Sequence, residues 1–162
     1  MIAAKLDRLG VANSTASAGF MFDGRGPDLP MAEMVSPAGI DVSRHQSRIV
    51  DGDLAGSADL VVTMERRHAR QIIVMNPDAA HRIHTLKGLV RASISSPPDL
   101  SLEDSLQSIA AQRSFSDLMG DGGDDEVPDP HKRSKKHYRS ALEALDGLTT
   151  DLAGWIASRP GA

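Results

Sequence analysis

Asp129 stands between Pro128 and Pro130 in the stretch "DDEVPDPHKRSKKHYRSAL", after a run of acids and just ahead of a cluster of bases. Proline restricts the backbone at its own position and at the residue before it, so Asp129 is expected on a stiff, extended loop and not within a helix. A carboxyl group held in this way can be aimed at a reacting oxygen, to give or take a proton. The competing local reading is a helix-entry loop in which the prolines break structure and Ser134 caps the helix that follows. Histidine is the other residue type here with chemical reach, as His81-x-x-His84 and as the pair His131 and His137. No second ligand pair stands at a familiar zinc or iron spacing, and the chain contains no cysteine, so no metal and no cofactor is expected. The lack of cysteine also excludes disulfides and thiolate chemistry within these residues.

The chain that must position these groups has 162 residues, 40% hydrophobic and 25% charged, which suits one compact domain with a real core. Only 3% of residues are aromatic, so the core must be built from Leu, Ile, Val, Met and Ala, and this favours an α/β fold over an aromatic-rich β-sandwich. With 18 basic and 22 acidic residues the net charge is −4, which argues against generic binding to nucleic acid or anionic membrane. No apolar run has membrane-spanning length and no basic-then-apolar leader is present, so the expectation is a soluble, cytoplasmic protein.

Along the chain, Ile2, Leu6 and Leu9 share one helical face that ends at Gly10. "NSTASAGF" reads as a short strand entering a glycine loop, "LPMAEMVSPAG" as a helix, and "IDVSRHQSRIV" as a polar connection in which Asp41 or Ser43 could cap a turn. Leu60 to Met64 is a continuous apolar run suited to a buried parallel strand, followed by a helix from about Arg66 to Val74. "AHRIHTL" predicts another strand, and a helix begins within Leu86 to Val90. Residues 91–123 shift to Ser, Pro, Gly and Asp around a weakly amphipathic segment carrying Leu102, Leu106 and Ile109, and are expected to form an insertion or mobile lobe. A last helix carries Tyr138, Leu142, Leu145, Leu148, Leu152 and Ile156 on an apolar stripe. This alternation predicts a single domain over residues 1–162, a three-layer αβα architecture around a small parallel sheet. Only three strands emerge, and an additional opening strand before Met1 would complete the pattern.

Taken together, "SAG" at Ser17 to Gly19, "GRGP" at Gly24 to Pro27, "GIDVSRHQSR" at Gly39 to Arg48, "ADLVVTMERRH" at Ala58 to His68, and "DP" at Asp129 and Pro130 ahead of Tyr138 give a chain that resembles the low-molecular-weight protein tyrosine phosphatases, a family that includes related arsenate reductases. The resemblance implies phosphate monoester hydrolysis through a cysteinyl-phosphate, with Asp129 as general acid and then general base. It implies that Ser17 and His45 brace the phosphate loop. Phe20 or Phe22 would form one wall of the substrate pocket, and His131 stands where the second, often tyrosine, wall is found. Glu65 follows the strand where the family often has an acid, a place that the helix dipole explains equally well.

The family's sheet has four strands, and its first, central strand runs into a C-x5-R-[ST] phosphate loop followed by Pro-Met-Ala-Glu. "MIAAKLDRLG" resembles the stretch that begins at that methionine, so the resemblance places the strand, the nucleophilic cysteine and the phosphate-gripping arginine upstream of Met1. The expectation is therefore an N-terminally truncated domain, inactive by itself, whose substrate in a longer form would be a phosphorylated protein or a small phosphoester. The alternative is a noncatalytic, phosphatase-like binding or scaffold protein. Either form has an open strand edge through which it could self-associate.

Overall fold

The protein is described by a computed structural model over residues 1–119 and 123–162. Its elements, in order, are α1 (Ile2–Arg8), α2 (Leu29–Val35), α3 (Gly52–Ser57), β1 (Val61–Thr63), α4 (Arg66–Met75), β2 (Ile83–Thr85), α5 (Leu86–Ser93), α6 (Leu102–Gln112), α7 (Phe115–Leu118) and α8 (Lys135–Ala157), with 3₁₀ turns at Ser36–Ala38 and Pro77–Arg82. The strands β1 and β2 pair in parallel, with Val61 opposite Ile83, Val62 opposite His84 and Thr63 opposite Thr85. A parallel pair needs a crossover, and α4 supplies it.

Alternation along the strands sorts the core into two layers. Leu60 and Val62 face a cluster formed by Leu6 and Val11 near α1, Leu86 and Leu89 of α5, Leu106 and Ile109 of α6, Val127, and Leu152, Ala153, Trp155 and Ile156 of α8. Val61 and Ile83 face the opposite cluster, made by Val50, Ala55 of α3, and Ala69 and Ile72 of α4, with Phe20 and Leu118 packed against it. This is a small parallel sheet between helical layers, the αβα arrangement.

Local chemistry explains most of the boundaries. α1 stops where Gly10 adopts φ 75°, which lets the Val11 amide reach back to the Leu6 carbonyl at 3.0 Å. Asp51, Thr85 and Ser101 each accept an amide of the first turn that follows them, and so start α3, α5 and α6. α1 lies on α8, where the Lys5 ammonium meets the Asp146 carboxylate at 2.8 Å and also the carbonyl of Asp146 and the hydroxyl of Thr150. Near the other end of α8, the buried Arg159 reaches the carbonyl of Pro97 and stacks over the Trp155 ring at 5.3 Å.

One segment differs from the sequence pattern. "NSTASAGF" forms no strand: residues 12–18 are exposed, and only Gly19 makes an isolated parallel bridge, to Ile49. Ser, Thr and Ala offer little apolar area to bury, and β1, whose only strand partner among the described residues is β2, does not pair with them. Residues 91–119 hold the end of α5 with α6 and α7, and Leu106 is fully buried in the first cluster. Residues 120–122, Asp121 among them, lie outside the described residues.

Candidate active site

Asp129 is exposed on the loop between Gly123 and α8, and its Oδ1 accepts the His131 amide at 2.9 Å. Its Oδ2 carries no hydrogen bond among the described residues. Two prolines, this local ring and the Val127 amide, which donates to the Met64 carbonyl at 2.9 Å, hold the loop. Lys132 then turns through φ 61°, a left-handed conformation uncommon for a side chain of its size. Ser134 occupies the N-cap position of α8, but its hydroxyl pairs with the His137 ring at 2.9 Å and caps no amide.

A second loop reaches this one. Asp28, at the N-cap position of α2, accepts the Tyr138 hydroxyl at 2.7 Å through Oδ2, and its Oδ1 lies 3.7 Å from Nδ1 of His131. The hydrogen bond to the Asp28 carboxylate raises the pKa of Tyr138, because losing the phenolic proton would also lose that bond. The "GRGPD" and "VPDPH" loops are thus joined through two residues, Asp28 and Tyr138, that the sequence reading did not place in the site. The sole tyrosine of the chain, just beyond a Pro-Asp-Pro motif, was the available hint.

The remaining residues expected at the site lie on neighbouring segments. The Ser17 carbonyl accepts from Arg48 Nε at 3.0 Å, and the Gly19 amide donates to the Arg48 carbonyl at 2.9 Å. The exposed His45 sits in the connection between these segments, its amide bonded to the Val42 carbonyl at 3.0 Å. Phe20 stacks on the His68 ring, with centroids 4.9 Å apart, and packs against the second core cluster. Phe22 is about half exposed, at 47%, with the Arg25 guanidinium 4.5 Å above its ring. Of the two phenylalanines, Phe22 therefore has the free surface. Among the described residues no hydrogen bond, ion pair or ring contact joins Asp129 directly to Ser17, His45, Phe20 or Phe22.

The histidine pairs do not converge. His81 meets Glu103 Oε1 at 2.9 Å, His84 bonds the His81 carbonyl at 2.9 Å, and His137 is engaged by Ser134. Among the described residues no three His, Asp or Glu side chains gather as a metal site would require. Glu65 precedes α4 and pairs with Arg67.

The small parallel sheet lies between helical layers in an αβα fold, with a Pro-Asp-Pro loop ahead of its last helix. The family model described as low molecular weight phosphotyrosine protein phosphatase matches residues 1–111, and the chain belongs to that family. Among solved structures it is similar to a low molecular weight protein tyrosine phosphatase from T. tengcongensis, at 24% identity, 94% of this chain, 84% of that one and a TM-score of 0.70. It is also similar to the YwlE arginine phosphatase from Geobacillus stearothermophilus, at 22% identity, covering 94% and 80% of the two chains with a TM-score of 0.67. A third is Vibrio vulnificus Wzb in complex with benzylphosphonate, at 19% identity, 93% and 84% coverage and a TM-score of 0.63. At these identities the likeness establishes the fold. No curated protein matches the sequence.

Proposed function

We propose that this chain carries the proton-transfer half of a low-molecular-weight phosphatase site, with Asp129 as the acid and then the base of phosphate monoester hydrolysis. In that reaction a thiolate attacks phosphorus and the bond to the leaving oxygen breaks as Asp129 gives that oxygen its proton. Asp129, now a carboxylate, takes a proton from the water that attacks the cysteinyl-phosphate, and the thiolate is released. The observation that carries this reading is the Asp129 carboxyl itself, with one oxygen fixed by the His131 amide and the other open, in a chain of this family.

No residue of the 162 can supply the thiolate, since the chain has no cysteine. The proposal therefore assigns the nucleophile and the phosphate-gripping arginine to a C-x5-R loop outside this sequence, ahead of Met1. The 162-residue chain alone is inactive on this reading. Ser17 and His45 brace that loop, Phe22 and His131 flank the entry, and the substrate is a phosphorylated protein side chain or a small phosphoester. His131, where an aromatic ring would grip phosphotyrosine, favours a pocket less selective for tyrosine. A cytoplasmic setting accompanies this reading, while the 162-residue chain by itself would associate through the open edge of β1, which size-exclusion chromatography would detect.

The test is turnover of phenyl phosphate by the pure 162-residue chain, with none expected. Turnover abolished by Asp129→Asn would refute the inactivity, and an extended chain bearing the strand and C-x5-R-S-P loop should restore activity. The lack of cysteine also favours a second reading, a phosphatase-like binding domain. The intact mass of the protein from its natural source separates the two, because only the first requires additional N-terminal residues.

A further inference from the structure

Asp125 lies four residues before Asp129 and is 4% exposed, within an acidic run whose neighbour Asp124 is exposed. Its Oδ2 accepts from Arg66 Nε at 3.2 Å and Nη2 at 2.9 Å. Its Oδ1 lies 2.6 Å from Arg91 Nη2, an ion pair that is not aligned as a hydrogen bond. Arg66 opens α4, directly after β1, and Arg91 belongs to α5, directly after β2. The carboxylate is thus tied to the helix that leaves each strand of the sheet. A Cβ at Gly88 would stand 2.5 Å from Thr85 Oγ1, so the close approach there is that of the hydroxyl capping α5, while the Asp125 carboxyl carbon at 3.8 Å is at ordinary contact distance.

Arg66 also donates Nη1 to the Met119 carbonyl at 3.2 Å, so one guanidinium fastens the chain on both sides of the 120–122 segment. Arg66 is the stronger partner, with its side chain 20% exposed against 62% for Arg91. Burying a carboxylate with its partners adds little net stability, because desolvation offsets the attraction, but removing one partner is costly and the geometry is strict. Two residues further on, Val127 is buried and its amide is bonded to Met64. From Asp125 to Asp129 the chain therefore has two buried anchors and a proline, and little freedom in between.

We infer that Asp125 is a positioning residue: its pairing with Arg66 and Arg91 sets where the Asp129 carboxyl stands relative to the ends of β1 and β2. The inference rests on the reading of Asp129 as the acid. Its structural half is measured on the 162-residue chain by amide hydrogen exchange at Val127 and His131, with Leu89 and Ala153 reporting the core. Asp125→Asn keeps the shape and removes the charge. It should speed exchange at Val127 and His131 by about tenfold or more while the core amides hold, Arg66→Lys should act in the same direction, and Asp124→Asn should change neither. Unchanged loop amides, or loop and core amides accelerating together, would overturn the inference.

The catalytic half uses the chain extended by the C-x5-R loop. There Asp125→Asn should lower kcat on phenyl phosphate far more than on p-nitrophenyl phosphate, with KM little changed, because a misplaced acid matters most to a leaving group that needs its proton. Equal loss on both substrates would mean a general structural defect and would also overturn it. An extended chain with no turnover at all would refute the proposed function, while the exchange result on the 162-residue chain would still decide the placement of the loop.

Discussion

The hydroxyl of Tyr138 donates to Oδ2 of Asp28 at 2.7 Å, across 110 residues of sequence, and closes the gap between the loop before α2 and the loop that carries Asp129. One hydrogen bond thereby links the chain on both sides of the candidate site. Because the acceptor is a carboxylate, the bond also holds the phenol protonated.

Asp28→Asn should accordingly lower the pKa of Tyr138 toward that of an ordinary tyrosine. The chain has a single tyrosine, so an ultraviolet titration of tyrosinate reads this residue alone. An unchanged midpoint would mean that the Asp28 contact does not govern the phenol.

Acid should weaken the fold through His84. Burial lowers its pKa from 6.5 to about 4, the His81 carbonyl bond opposes this, and the nearby charges of Arg113 and His81 add to the lowering. As pH falls below 6.5 the unfolded chain takes up a proton that the folded chain refuses until about pH 4, so stability is lost across that window, by about 3 kcal/mol. Urea unfolding of wild type and His84→Leu at pH 7 and pH 4.5 checks this, since the variant should lack that part of the pH dependence. Parallel losses in the two proteins would place the acid sensitivity elsewhere.

Leu106→Ala should cost about 2–5 kcal/mol of global stability, because Leu106 is fully buried between α6 and the rest of the first cluster. A chain in which residues 91–123 behaved as an independent lobe would lose only that lobe and keep the unfolding midpoint of the remainder. A single cooperative transition shifted to lower denaturant is the expected result.

In a chain extended by a C-x5-R loop, Asp129→Asn should slow phenyl phosphate by about 10²–10⁴-fold and p-nitrophenyl phosphate much less. The wild-type rate should follow a bell-shaped pH profile, since thiolate and protonated acid are required together. Asp129→Asn should remove the limb on which the acid loses its proton. Equal losses on both esters would mean that Asp129 supports structure without donating a proton.

The parts of this architecture that were legible in sequence are those whose pattern is local. Leu60, Val61 and Val62 announced β1 because consecutive apolar, mostly β-branched residues suit a strand between helical layers, and the stripe from Tyr138 to Ile156 announced α8. "NSTASAGF" suggested a strand that the fold does not form, because small residues take up pairing only where a partner edge is present. The short α3 was hidden in polar sequence, although Asp51, whose carboxylate accepts the Leu54 amide at 2.7 Å, was a readable cap. Asp129 stood out through its prolines. Asp125 did not, because which acid of a run becomes buried depends on Arg66 and Arg91, residues far away in sequence.

The seating of α1 on α8 has a consequence for how the protein is made. Ile2 and Leu6 leave the ribosome well before α8, the helix that covers them, because most of this sequence separates the two. At ordinary synthesis rates that leaves an apolar helical face without its partner for on the order of ten seconds. A seven-residue helix does not persist alone in water, so α1 must wait as fluctuating chain. The first core cluster consequently closes only once α8 has emerged. Shortening α8 would then leave α1, and not only α8 itself, open to holdase chaperones and proteases.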